Sequence, residues 1–274
     1  MPTIGRDVAR RLWHVFLRGL GTIPLSARWP LMVLINQVAE LASQAIPGIA
    51  GGFKQSPPYK AGLITVADDL FRRLSHQVTA LGVGFRPRLA TCAEDVGRIA
   101  NRKGGYLCVG IHNELLFFAA EYLERQLGNV ISLADNTDHP YFGSRDVPHY
   151  IKADISGLSE YRGGADTARN RSTLFGTRTA LRSGKIVCAV IDKPDPSRRT
   201  RDLNVRGVPF HMNYDVLKVG LDCGAGIAFF HANLIAGKIV VRWCHLPGDV
   251  RDCQTALKTF HTFLLAISGE PRNV

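Results

Sequence analysis

The sequence has no C-x-x-C pair and no Cys/His cluster at zinc-ligand spacing; its six cysteines stand apart at positions 92, 108, 188, 223, 244 and 253. That pattern argues against a structural metal and against the disulfide framework of a small secreted domain, and it suits a reducing, cytoplasmic setting. Cys108 and Cys188 lie inside apolar runs, where a cysteine behaves as a small buried hydrophobe. Long hydrophobic runs are also missing. The longest uncharged stretch, Cys223 to Gly237, is 15 residues and carries His231 and Asn233, against the roughly 20 apolar residues of a bilayer span. No secretory signal is expected at the N-terminus. There is no G-x-S-x-G elbow, which disfavours a serine hydrolase. No helix-turn-helix, finger or RNA-recognition signature appears either. Aromatics are only 8% of the chain, and they do not interleave with the basic stretch as they would in a single-strand platform. No internal repeat, low-complexity tract or linker divides the sequence.

Acidic residues are scarce as well: 34 Lys+Arg face 23 Asp+Glu, a net charge of +11. Such a balance implies an anionic partner: a membrane surface, a phosphorylated substrate, an acidic carrier protein or nucleic acid. With 46% hydrophobic and 21% charged residues over 274 positions, the chain has enough apolar material for one sizeable core.

The apolar pattern predicts helices over 6–20 and 31–45, punctuated by Pro24 and Pro30, then a Gly/Pro-rich loop from Pro47 to Pro58. Leu63, Val66, Leu70, Leu74 and Val78 share one side of a helix over 60–82. A strand at 83–90, a helix at 93–103, a strand at 106–111 and a helix at 113–126 follow. Next come a strand over Val130 to Ala134, a long loop to about 165, a helix over 168–183 and a strand over Ile186 to Ile191. The remainder reads as a charged loop at 193–206, a helix at about 214–223, strands at 226–232 and 238–245, and a closing helix from Cys253 to Ile267. This alternation implies an α/β fold, a mixed central sheet flanked by helices. Residues 1–58 form an N-terminal amphipathic helical extension and loop; 59–274 form the α/β domain. In that extension Arg6, Arg10, Arg11 and Arg18 interleave with Leu12, Trp13, Val15, Phe16, Leu17 and Leu20. The pattern fits a helix lying in a lipid interface and equally one packed on the core by its apolar stripe.

The run from Cys108 to Phe117 is the most informative one. It delivers His112 from a strand end to the start of a helix, at the mouth of a sheet where reacting groups converge. Imidazole, with an unperturbed pKa of about 6.5, takes protons from hydroxyl or amine nucleophiles near neutral pH. The competing reading of a lone histidine is a surface or satisfied core residue. Leu115, Leu116, Phe117 and Phe118 beside it suit either an acyl trough or core packing. Between Tyr161 and Arg206, eleven basic residues face only four acidic ones. Arginine forks suit phosphate, so this stretch is the candidate anion-binding surface, with solvated helix faces as the alternative.

Gly110-Ile111-His112, then Thr179 to Asp192 (TALRSGKIVCAVID), then Gly207-Val208-Pro209-Phe210 ahead of a helix and strands, resemble in order and character the lipid A biosynthesis lauroyl/myristoyl acyltransferases. That family belongs to the glycerophospholipid acyltransferase superfamily, and the likeness runs over roughly residues 30–250. The resemblance implies a glycerolipid acyltransferase-like fold, peripheral at the cytoplasmic face of the bacterial inner membrane. It implies transfer of a fatty acyl chain from an acyl-carrier-protein or CoA thioester to a hydroxyl or amine of a lipid-like anionic acceptor, with no cofactor beyond that co-substrate. The family uses an H-x-x-x-x-D/E motif in which histidine is general base. His112 matches the histidine; Asp192 matches an aspartate after the second core strand; Arg171, Arg178 and Arg182 match its arginine-bearing approach to substrate. Where the motif requires a carboxylate, however, stands Phe117. Losing an orienting carboxylate costs about 10⁴ in rate in the serine-protease case. Glu114 is the substitute the sequence offers first, if His112 precedes the helix; its other role is a first-turn acid favoured by the helix dipole. Glu121 stands one turn beyond Phe117, about 6 Å along the axis. The broken motif leaves a second reading, a catalytically degenerate protein of this fold that binds lipid or acyl carrier protein. Nucleic acid is disfavoured, since charge alone supports it.

Overall fold

Short apolar runs become the strands of a seven-stranded sheet beside a separate two-stranded hairpin, and amphipathic runs between them become the sheet's cover. The computed structural model describes residues 3–45, 57–68, 70–71, 74, 89–113, 115–134, 150–152, 166–192 and 200–269. Its strands are β1 (Leu89–Thr91), β2 (Tyr106–Gly110), β3 (Val130–Ala134), β4 (Tyr150–Lys152), β5 (Ile186–Val190), β6 (Thr200–Val205), β7 (Val208–Asn213), β8 (Gly226–Ile235) and β9 (Lys238–His245). Its longer helices are α1 (Thr3–Thr22), α2 (Leu25–Ala45), α3 (Ala93–Ala100), α4 (Leu115–Leu127), α5 (Asp166–Arg182), α6 (Asp215–Asp222) and α7 (Cys253–Gly269).

Seven strands form a mixed sheet in the order β1-β9-β8-β2-β5-β3-β4. β8, β2, β5, β3 and β4 run parallel; β9 is antiparallel to β8, and β1 is parallel to β9. The central strands are continuous hydrophobic runs because both faces are covered. On one face Leu17 and Leu20 of α1, Trp29 and Met32 of α2, Ile99 of α3 and Leu115, Phe118 and Leu123 of α4 pack against Tyr106, Cys108, Ile186 and Phe230. On the other, Leu181 of α5, Leu217 of α6 and Phe260 and Leu264 of α7 pack on Leu107, Val109, Val187 and Phe229. Two parallel-strand returns are built alike. Gly184 (φ 80°) and Gly224 (φ 63°) follow α5 and α6 in the left-handed conformation, and the next N–H, of Lys185 or Ala225, reaches back to the carbonyl of Ala180 or Gly220. Glycine takes that conformation without a Cβ penalty, so each helix stops and turns directly into its strand.

Three elements differ from the sequence expectation. α2 begins at Leu25 and runs through Pro30; Pro30 and Ser26, whose carbonyl loses its helical partner, are both exposed, so water compensates. Within the long loop to 165, β4 adds a three-residue edge strand beside β3. The charged stretch 193–206 ends not in loop but in β6, which pairs with β7. Leu203, Val205, Phe210 and Met212 point into the core while alternate residues face solvent. Arg206 and Gly207, both at positive φ (51° and 81°), make the two-residue turn, the geometry hairpins favour. The strand forecast at 83–90 and the helix over 60–82 fall partly outside the described residues.

At the far end of the sheet from His112, the Tyr106 hydroxyl donates to His245 Nδ1, and His245 Nε2–H donates to Asp95 Oδ1 at 3.0 Å, tying α3 to β9 and β2. Burial pushes the His245 pKa below its ordinary value, outweighing the neighbouring Asp95 carboxylate that raises it. A histidine with a depressed folded-state pKa binds its proton first in the unfolded chain. Its contribution to stability is therefore present above the unfolded pKa of about 6.5 and is lost as pH falls through the folded value. Between pH 7 and pH 5 the parent is expected to lose more unfolding free energy, measured by urea titration, than His245→Gln, which offers one acceptor and one donor without titrating. Equal losses would remove His245 from the acid response.

Packing at the start of β2 supplies a second test. A Cβ at Gly105 would stand 2.1 Å from the Leu181 carbonyl oxygen, whereas one at Gly104 meets nothing within 4 Å. Gly105→Ala is expected to destabilise by at least about 1–3 kcal/mol, while Gly104→Ala stays within about 1 kcal/mol of the parent. Urea denaturation of the two variants makes the comparison.

Candidate functional site

β2 and β5 lie side by side, with Cys108 opposite Cys188 and Gly110 opposite Val190. Two residues beyond each strand, the same register brings His112 level with Asp192. The chain then leaves β2 for α4 on one face and β5 for the β6–β7 hairpin and α6 on the other. Where neighbouring parallel strands send their connections to opposite faces, their carboxyl ends open into a crevice, the usual place for a ligand in an open α/β sheet. The Ile191 N–H donates to the Gly110 carbonyl at 3.1 Å and the Asn213 N–H to the Ile191 carbonyl at 2.6 Å, so β2, β5 and β7 are fastened together at this rim.

Asp192 Oδ1 accepts the backbone N–H of His112 at 2.6 Å. The same oxygen lies 3.7 Å from His112 Nδ1. The Asp192 side chain is 5% exposed and that of His112 is 54% exposed, so a buried carboxylate backs an imidazole presented to solvent. At 3.7 Å the ring contact is an ion-pair distance rather than a hydrogen bond, and hydrogen bonds of this kind tighten when substrate binds. One carboxylate oxygen thus fixes the main chain that carries the ring and supplies the charge that stabilises its protonated form. That arrangement can orient a general base.

Two residues upstream the packing is tight around a glycine. A Cβ on Gly110 would stand 2.5 Å from Leu116 Cδ1 and 3.0 Å from the Phe230 carbonyl oxygen. Leu115, Leu116 and Phe118 are buried at 0%, 5% and 2% exposure, so these three belong to the core beneath α4 rather than to an open trough. The Phe117 and Glu121 side chains lie outside the described residues, as does Glu114.

The arginines divide along α5. Arg182 is in its last turn, four residues before β5 begins, where Gly184 and Lys185 carbonyls meet Arg102 and the Tyr106 N–H. Tyr106 stands six residues before His112, a span of about 20 Å along a strand. Arg182, matched to the arginine-bearing approach to substrate, therefore lies far from His112: α5 runs opposite to β5, and its C-terminal turn ends at the other end of the sheet. Arg178 is one turn closer and half-buried. Arg171 stands three turns back towards the rim, with its side chain outside the described residues, as are Arg162, Lys193, Arg198 and Arg199.

Two asparagines at the rim are not singled out by composition or spacing. Asn113, 6% exposed, accepts the Leu115 N–H at 3.0 Å through Oδ1 and donates from Nδ2 to the Ala232 carbonyl. Asn213, 5% exposed, accepts the Asp215 N–H at 3.1 Å one residue ahead of Tyr214, the N-cap of α6. An asparagine just ahead of an apolar-periodic run is the sequence signal for such helix starts.

Among the described residues, no helix is long and apolar enough to cross a membrane. α1 exposes Leu12, Val15 and Phe16, and α2 exposes Leu34, Val38 and Leu41 at helical spacing. Arg11 and Arg18 of α1 are exposed beside them. Compared with known families and proteins, the chain matches no family model and no curated protein.

Proposed function

We propose that this chain is an acyltransferase that moves a fatty acyl chain from an acyl-carrier-protein or CoA thioester to a hydroxyl or amine of a lipid-like, anionic acceptor. His112 is the general base and Asp192 its orienting acid. The observation that carries the reading is the exposed imidazole backed at 3.7 Å by a buried carboxylate at the crevice between β2 and β5. The resembled family needs a carboxylate five residues after the histidine; here Asp192, from the neighbouring strand, stands in for the acid that Phe117 replaces. The acceptor gives its proton to His112 as its oxygen or nitrogen bonds to the thioester carbonyl carbon. The C–S bond then breaks, and the imidazolium returns the proton to the departing thiolate. Nothing remains bound to the protein, and the products are the acylated acceptor and a free thiol. A net charge of +11 favours both the acidic donor and an anionic acceptor. Arg178 and, from the outer turns of α5, Arg171 are the nearest of the resemblance's arginines for that role.

The exposed apolar stripes of α1 and α2, flanked by Arg11 and Arg18, support peripheral attachment to an anionic bilayer, in the family's case the cytoplasmic face of the bacterial inner membrane. Phe117 favours one alternative: a degenerate member of the fold that binds acyl donor or lipid without turnover.

Release of free thiol from long-chain acyl carrier protein and acyl-CoA, with a bacterial lipid extract as acceptor, separates the two. The parent is expected to release thiol only when lipid is present. His112→Ala and Asp192→Asn should each lower the rate by about 10²–10⁴. Donor binding with no release from any variant establishes the degenerate reading, and an Asp192→Asn chain as active as the parent removes Asp192 from the relay.

Attachment is tested by flotation with vesicles. The parent should float with vesicles containing anionic phospholipid and be released by high salt. The double variant Leu34→Asp/Val38→Asp should stay behind while retaining the parental circular dichroism spectrum. A parent that never floats overturns the attachment.

A further inference from the structure

Past the end of β2 the backbone ladder stops, yet the chain there is held from both sides. Counting on from the β2–β8 register, in which Val109 faces Phe229, His112 comes level with Ala232. On the β5 side its own N–H is taken by the Asp192 carboxylate. On the β8 side the anchor is the next residue: the buried Asn113 carboxamide donates to the Ala232 carbonyl and accepts the Leu115 N–H. Two side chains thus replace the ladder bonds that residues 112 and 113 would otherwise make, and His112 sits between them.

We propose that Asn113 is the positioning residue for His112. By bridging β8 and the first turn of α4, its carboxamide fixes where the strand ends and the helix begins, and so holds the imidazole over Asp192. The role deepens the reading of His112 as a base. As a helix cap alone, Asn113 would need only its oxygen, and aspartate or serine would serve as well. The bond to Ala232 uses the amide N–H, which neither aspartate nor serine has, and the serine hydroxyl is held on a side chain one carbon shorter. Those two substitutions keep the cap and break the bridge.

The test uses the full chain labelled with ¹⁵N-histidine, with His112 resonances assigned by their loss in His112→Ala. In the parent, Asp192→Asn should shift the His112 ring signals, reporting the neighbouring carboxylate. In Asn113→Asp and in Asn113→Ser that response should disappear, and the His112 amide should exchange with solvent at least about tenfold faster. Both variants should keep the parental circular dichroism spectrum, with a melting temperature lowered by about 2–12 °C for the Ala232 carbonyl left unpaired. If either folded variant keeps both the parental response and the parental exchange rate, Asn113 is only a cap and the proposal fails. It fails too if the parent's ring signals ignore Asp192→Asn. Where the parent turns over, both variants should lower kcat at least about tenfold with KM for the thioester unchanged. A parent that shows the spectroscopic response without turnover overturns acyl transfer and leaves the positioning role standing.

Discussion

The in-register parallel pairing of β2 with β5 is the constraint on which the site depends. Side chains alternate between the two faces of a sheet, so a slip of one residue would send His112 and Asp192 to opposite faces. Several features hold the register. All five residues of β2 are buried, which ties its alternation to both halves of the core. Gly110 leaves no room for a side chain between Leu116 and the Phe230 carbonyl, and this lets α4 begin close against the sheet. Gly105, Gly184 and the return of α5 fix the other end of the pair. The packing of the core thus determines which carboxylate the histidine meets.

Drawing the acid from the neighbouring strand rather than from the following helix has a structural consequence. In an H-x-x-x-x-D/E arrangement the helix after the histidine must turn a carboxylate towards the rim, which removes one position from its apolar face. With Asp192 supplied by β5, α4 keeps Leu115, Leu116, Phe118, Ala119, Ala120 and Leu123 buried. Burying a carboxylate is costly unless it is hydrogen-bonded, and the His112 N–H at 2.6 Å meets that need. The same bond anchors the main chain of the residue it charges, so the pair needs few other supports.

Much of the architecture was legible because strand and helix periods are local. The run from Val130 to Ala134 and the strands after Gly226 and Lys238 are written in consecutive residues, and the structure follows them. The β6–β7 hairpin was hidden by its charge: Arg201, Asp202, Asn204 and Arg206 mask an alternation whose buried half is only Leu203 and Val205, and its turn is Arg-Gly rather than the commoner Asn-Gly. β4 was hidden by its length, three residues on an edge. The site was legible in part. His112 announces itself at a strand end, and Asp192 at the next, but that the two strands are neighbours is a property of sheet order, which no local period encodes. The distance of Arg182 from His112 is hidden for the same reason. Arg182 is close to Asp192 in sequence, yet the direction of α5 carries it to the opposite rim.

Two histidine–aspartate pairs occupy opposite ends of the seven-stranded sheet, and they differ in what a proton would meet there. His245 has Tyr106 on one ring nitrogen and Asp95 on the other, and its side chain is 11% exposed. Proton transfer there would break a hydrogen bond and charge a buried ring, and burial depresses its pKa accordingly. His112 has its carboxylate buried and its ring outward, so protonation places charge partly in water and beside an opposite charge that is already fixed. The first arrangement suits a fastening between α3, β2 and β9. The second suits a group that must take up and release a proton within one reaction cycle, because neither state requires the protein to desolvate a charge it lacks the partners to hold.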